Sequence, residues 1–193
     1  MASQLATVRE LLADEDVQSI SRRYFISNGF DGTLTSIGII VGSFLGGNQT
    51  GLEIVRIVVG GAIGLAASGV WSVWEIERAE KLAELHRIEE KMLADLEDTR
   101  LHDHRADARK INAFMSGLGP VIGMLLPIVP YFFVDVALSM RWATVLGVFI
   151  GVGLLFVFGA YMGTLSEQNW VVAGLRTGVV GLVVGAINVV LPG

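Results

Sequence analysis

The chain contains no cysteine, which excludes disulfides, thiolate metal sites and cysteine nucleophiles. Charge is scarce: 17% of the 193 residues are Asp, Glu, Lys or Arg, against about a quarter in an ordinary soluble domain. There is no basic surplus either, the formal net charge being −5, so composition gives no sign of a nucleic-acid surface. The first 20 residues are polar and acidic (Glu10, Asp14, Glu15, Asp16) and lack the basic-then-apolar pattern of a cleavable signal, so none is expected. No Gly-Lys-Ser/Thr phosphate loop, serine-hydrolase motif or paired Glu-x-x-His of a di-iron bundle is present. With no nucleophile–base pair and no cofactor motif, an enzyme is not expected, nor is a tightly bound cofactor.

What the chain does have is apolar length. Hydrophobic residues make up 52% and glycine occurs 24 times. Five runs, about 24–47, 54–74, 111–134, 143–162 and 170–191, each approach the ~20 residues that cross ~30 Å of hydrocarbon. The expected fold is therefore an all-α integral membrane protein. It has five transmembrane helices and a helical insert between the second and third. Four segments follow: 1–23, an N-terminal amphipathic stretch; 24–74, the first two spans; 75–110, an acidic helical insert; and 111–193, the last three spans. Trp71, Trp74, Tyr131, Trp142, Tyr161 and Trp170 fall near span ends, where amphipathic rings anchor at the interface.

Basic residues set the orientation. Arg9, Arg22 and Arg23 precede the first span, and Arg78, Lys81, Arg87, Lys91, Arg100, Arg105, Arg109 and Lys110 lie between the second and third; together they are eleven of the 14. The positive-inside rule puts the N-terminus and 75–110 in the cytoplasm and the C-terminus outside. The absence of a targeting segment and the small size favour a prokaryotic plasma membrane. Glycines recur as G-xxx-G pairs, among them Gly42/Gly46, Gly60/Gly64, Gly119/Gly123 and Gly147/Gly151. Such pairs permit close helix approach without singling out one face. Pro120, Pro127 and Pro130 interrupt the third span, either as a hinge or cavity-lining break or as a fixed kink.

Two features carry chemistry. Asp31 stands inside the first apolar run, where a carboxylate costs at least about 3 kcal/mol and ordinarily serves an ion or proton path. Glu77, Glu80 and Glu84 recur at i, i+3 and i+7 on the insert helix. They would share a face able to offer oxygen ligands to Mn²⁺ or Fe²⁺. Glu75, Glu90, Met92 and Glu97 are further candidates along it. An acidic helix face is usually just solvated, with Glu77–Lys81 and Glu84–Arg87 as intrahelical pairs. Leu85, Ile88, Met92 and Leu96 form an apolar stripe suited to a partner helix. A scaffold that pairs through this stripe, and a proton-coupled transporter of another substrate, are the competing readings.

Three sequence blocks resemble the vacuolar iron transporter family. They are Phe30-Asp31-Gly32-Thr33-Leu34 continuing to Gly42; Asn112-Ala113-Phe114 through Gly119, Pro120, Gly123, Pro127 and Pro130-Tyr131; and Gly174-Leu175-Arg176 with Gly181 and Gly185. The resemblance implies a prokaryotic-type member. It implies a homodimer in the lipid bilayer that exports Fe²⁺ or Mn²⁺ from the cytoplasm in exchange for protons. It further implies that Asp31 is the membrane ligand near the dimer axis and that carboxylates of the insert collect the metal. An aspartate suits exchange because its carboxylate holds either the cation or a proton. The chain departs from the family in its second span, where Ala66-Ala67-Ser68-Gly69-Val70-Trp71 carries no methionine, and in its short insert. Glu75, Glu77 and Glu80 would then line the inner mouth.

Overall fold

The computed structural model describes residues 15–47, 50–92 and 100–190. Five long helices follow one another: α1 Glu15–Gly46, α2 Gly51–Met92, α3 Arg100–Ile128, α4 Met140–Leu165 and α5 Trp170–Val190. All five are long and apolar enough to cross a membrane. The described residues contain no β-strand, only an isolated bridge between Val134 and Leu138. The protein is an all-α integral membrane protein. Alternating helix direction gives the bundle two ends. α2 extends beyond one of them, here called the insert end; the turns after α1 and α3 lie at the far end.

Among the described residues α1 already includes Glu15, so residues 15–23 continue the first spanning helix without a break. α2 runs unbroken for 42 residues, about 63 Å at 1.5 Å per residue, roughly twice the hydrocarbon thickness. Its start is fixed by a capping box. The Thr50 N–H donates to Glu53 Oε2 at 2.7 Å, and the Glu53 N–H donates back to Thr50 Oγ1 at 3.3 Å, satisfying two donors that a helix start leaves open. α5 starts similarly, with the Val171 and Val172 N–H groups donating to Asn169 Oδ1.

α3 is the central helix, lying between α1 and α2. Its helix continues through Pro120 and Pro127, then tightens into a 3₁₀ turn at Val129–Phe133. Both prolines are fully buried. Pro120 rests against Gly32, where an added Cβ would fall 2.7 Å from the proline Cα. Pro120 thus forms part of the close contact between α1 and α3. Tyr131 is buried and its hydroxyl pairs with Thr144 Oγ1 at 2.9 Å. It therefore joins α3 to α4 from within, unlike the exposed Trp71, Trp142, Tyr161 and Trp170.

Glycine sets the helix spacing. A Cβ at Gly123 would stand 2.5 Å from the Gly29 carbonyl oxygen, and one at Gly119 would overlap the Phe25 carbonyl, so α1 and α3 touch backbone to backbone. Gly147, Gly151, Gly159 and Gly163 are likewise packed against neighbours. Gly42, Gly46, Gly60 and Gly64 have nothing within 4 Å and face out of the bundle. The far-end core gathers Ile40, Ile54, Val58, Met124, Ile128 and Ala143. Large apolar side chains such as Ile63, Phe149 and Val172 are exposed around the outside, as lipid contact requires.

Candidate functional site

Asp31 lies two turns along α1 from Tyr24 and is exposed in the protomer. It opens into a groove of about 610 Å³ lined by Arg22, Ser27 and Phe30 of α1, Met162 and Leu165 at the end of α4, and Thr177 of α5. Two phenylalanines of α1, Phe25 and Phe30, brace this end of the helix against Phe158 of α4, with ring centroids 6.0 and 5.8 Å apart. The carboxylate thus stands within a span, on a helix held rigidly from behind, and open to the front.

Asp31 belongs to a stripe. Tyr24, Asn28, Asp31, Thr35, Gly38 and Gly42 recur at alternating spacings of four and three, the seam that faces a neighbouring helix in a left-handed pair. Asp31, Thr35 and Gly42 on it are exposed, so this seam is uncovered toward its middle and far end. Near the insert end it is polar and anchored. Asn28 Nδ2 donates to the Ser116 carbonyl at 3.1 Å and to Ser116 Oγ, and that hydroxyl donates to the Gly69 carbonyl at 2.9 Å. Three helices therefore meet at one hydrogen-bonded junction.

The insert carboxylates differ in exposure. Glu77 is buried, 3% exposed, and accepts a hydrogen bond of 3.1 Å from the Tyr24 hydroxyl. Glu75, Glu80 and Glu84 are exposed. Lys81 approaches Glu84 at 4.0 Å, a solvent-screened contact that contributes little. Tyr24 of α1 covers Glu77 and takes it out of solvent, while Glu80 and Glu84 on the same unbroken helix stay exposed. Among the described residues no three His, Asp or Glu side chains gather to hold a metal ion. Glu97 lies outside the described residues, as do the side chains of Glu90 and Met92. Arg176 is exposed beside Gln168 and Ser166 in a second groove, and among the described residues no ion pair joins it to Glu167.

Asn28 and Ser116 emerge as site-supporting residues that charge patterning does not pick out. Their signal was nonetheless in the sequence, since Asn and Ser inside spans commonly bond across helices. Comparison with known proteins adds two findings. A family model described as the VIT family matches residues 74–191. An uncharacterized protein of Methanocaldococcus jannaschii is 24% identical over 172 residues, covering 88% of this chain and 84% of that protein.

Proposed function

The chain belongs to the VIT family, whose membership points to membrane metal-ion transport, and from that premise we propose that it exports Fe²⁺ or Mn²⁺ from the cytoplasm by proton exchange, as a homodimer. The observation that carries this reading is Asp31, a carboxylate inside a span and exposed on the open side of α1. A charge facing lipid there is costly, whereas a seam covered by a second copy, or wetted by a path, gives the carboxylate a polar setting. The open glycines Gly42 and Gly46 support close approach of a second α1 along the same seam.

In this reading the insert end faces the cytoplasm, consistent with the basic residues gathered there. Glu80 and Glu84, exposed on the extension of α2, raise the local cation concentration at the entrance. Asp31 takes up the cation, and a proton arriving from the far side displaces it. Cation and proton compete for the same oxygens, so one occupant leaves as the other binds. Arg22, at the edge of the same groove, disfavours a second cation and so keeps occupancy single.

The test is uptake of Fe²⁺ and Mn²⁺ into proteoliposomes under an imposed pH gradient, with wild type compared with Asp31→Asn. Gradient-dependent uptake that disappears in a well-folded Asp31→Asn variant supports the assignment. Wild-type vesicles that move neither metal would refute it, and would favour a scaffold or a transporter of another solute.

A further inference from the structure

Another groove meets α1 on the side away from Asp31. Arg22 lies nine residues before Asp31, about two and a half turns, and so leaves the helix on the opposite face. It lines the margins of both grooves. The one behind the Asp31 seam, of about 560 Å³, is bounded by α1, α3 and α4. Gln18 and Ser21 stand beside Arg22 at its insert end, and Phe25 follows one turn further in. Met115 of α3 and Val157 and Phe158 of α4 complete the deeper part. The register of α1 against α3 fixes this depth. Asn28 bonds Ser116 and Ser36 bonds the Met124 carbonyl, both pairs 88 residues apart, which sets Met115 level with Ser27. Tyr161, exposed one turn nearer the insert end than Phe158, marks the interface.

The lining therefore changes from polar to apolar with depth, the order of a phospholipid entering from the bilayer surface. Val157 and Tyr161 are exposed, so the groove opens toward lipid. Arg22 is the one charged residue among its described lining, and it is half-buried. Among the described residues no ion pair joins it, and it takes no part in the ring contacts of Arg23 with Tyr24 or Arg109 with Trp74. A guanidinium offers five donors and no acceptor, and at the edge of a span it calls for an anion. The Asp31 groove holds the same cation but sets a carboxylate in its lining, which repels an anion. The groove behind it has no acidic residue among its described lining. A second copy paired along the Asp31 seam would leave this opposite face of α1 uncovered.

We propose that this groove binds an anionic phospholipid of the insert-end leaflet, with its phosphate on Arg22 and one acyl chain laid along Phe25, Met115 and Val157. Arginine suits the phosphate because its planar fork takes two oxygens at once. The chain fills space that the side chains of α1, α3 and α4 leave open, and so restores the dispersion contacts an unfilled groove forfeits. Basic pockets between spanning helices on the cytoplasmic side suit anionic headgroups, and the positive-inside rule places the insert end there. A zwitterionic lipid offers the same chain but brings a cation of its own toward Arg22, so the site discriminates by charge. The proposal stands independently of which ion the protein moves.

The experiment titrates detergent-solubilised full-length protein with phosphatidylglycerol or phosphatidylcholine of matched chains and counts bound lipids by native mass spectrometry. Wild type should bind the first phosphatidylglycerol about tenfold more tightly than phosphatidylcholine, a difference of about 1.4 kcal/mol. Arg22→Gln should abolish that preference, whereas Arg141→Gln, a cation exposed at the far end, should keep it. Val157→Trp tests the groove itself. Val157 is exposed, so the larger ring leaves the core undisturbed while its bulk displaces the acyl chain and weakens phosphatidylglycerol binding by about tenfold. Circular dichroism checks the helix content of each variant, and Val157→Trp carries the test if Arg22→Gln fails to fold. A preference that survives Arg22→Gln, or that is lost equally in Arg141→Gln, overturns the site. Binding unchanged in Val157→Trp overturns it in favour of surface charge alone. Displacement of the lipid by water-soluble glycerol phosphate at equal concentration overturns it in favour of a free phosphate ester. Equal binding of the two lipids by wild type refutes the proposal whether or not the protein moves metal.

Discussion

Replacing Gly123 with alanine should destabilise the protein far more than the same change at Gly60. At Gly123 the new Cβ would meet the Gly29 carbonyl oxygen at 2.5 Å and the Thr33 nitrogen and hydroxyl at 2.9 Å, where 3.4 Å is an ordinary contact. α1 and α3 must therefore separate by close to 1 Å. The obstructing atoms are mainly backbone, so no rotamer change relieves them. Overpacking of this kind costs about 1–3 kcal/mol. Separation also stretches the Asn28–Ser116 and Ser36–Met124 hydrogen bonds, each worth about 0.6 kcal/mol on average within a membrane. The sum is a loss of about 2–4 kcal/mol. Gly60 has nothing within 4 Å, and alanine there should change stability by less than about 1 kcal/mol, in the favourable direction. Reversible unfolding in mixed micelles with increasing dodecyl sulfate, followed by tryptophan fluorescence, measures both. Equal unfolding midpoints for the two variants would refute the backbone contact between α1 and α3.

Two further expectations concern topology and assembly. Because the chain has no cysteine, Gln168→Cys and Ala137→Cys provide single thiols in the turns before α5 and before α4. An impermeant thiol reagent applied to sealed vesicles should label them from opposite faces, with Gln168→Cys on the cytoplasmic one. Labelling from the same face would contradict the five-span arrangement. Gly42→Leu should reduce the proportion of cross-linked dimer by about tenfold if a bulky residue on the open seam costs 1–2 kcal/mol. Gly153→Leu, also in open space but on α4, should leave it unchanged. Equal dimer fractions would move the interface away from α1.

The five spans were legible because their signal is additive: twenty apolar residues specify a membrane helix whatever their neighbours are. The continuity of 15–23 with the first span was not, since these residues are polar and carry the same composition as a separate surface helix. Asp31 stood out as a charge in an apolar run, whereas the exposure of the stripe it stands on is decided by how the helices pack. Glu77 did not. Its spacing to Glu80 and Glu84 describes an isolated helix, and only the approach of Tyr24 from a helix 53 residues away removes it from solvent. Tyr131 misleads in the same way, reading as an interfacial ring until the 3₁₀ turn directs it inward to Thr144. Local pattern reported what one helix offers, and contact between helices decided which of those offers was used.

The unvarying register between α1 and α3 has a mechanical consequence. With backbone touching backbone at Gly119 and Gly123, and hydrogen bonds repeating along the contact, the two helices cannot slide or roll separately. They behave as one plank that carries Asp31, Asn28 and Ser116 together. A cycle that exposes Asp31 first to one side of the membrane and then to the other must pivot the remaining helices about that plank, or swing the plank whole.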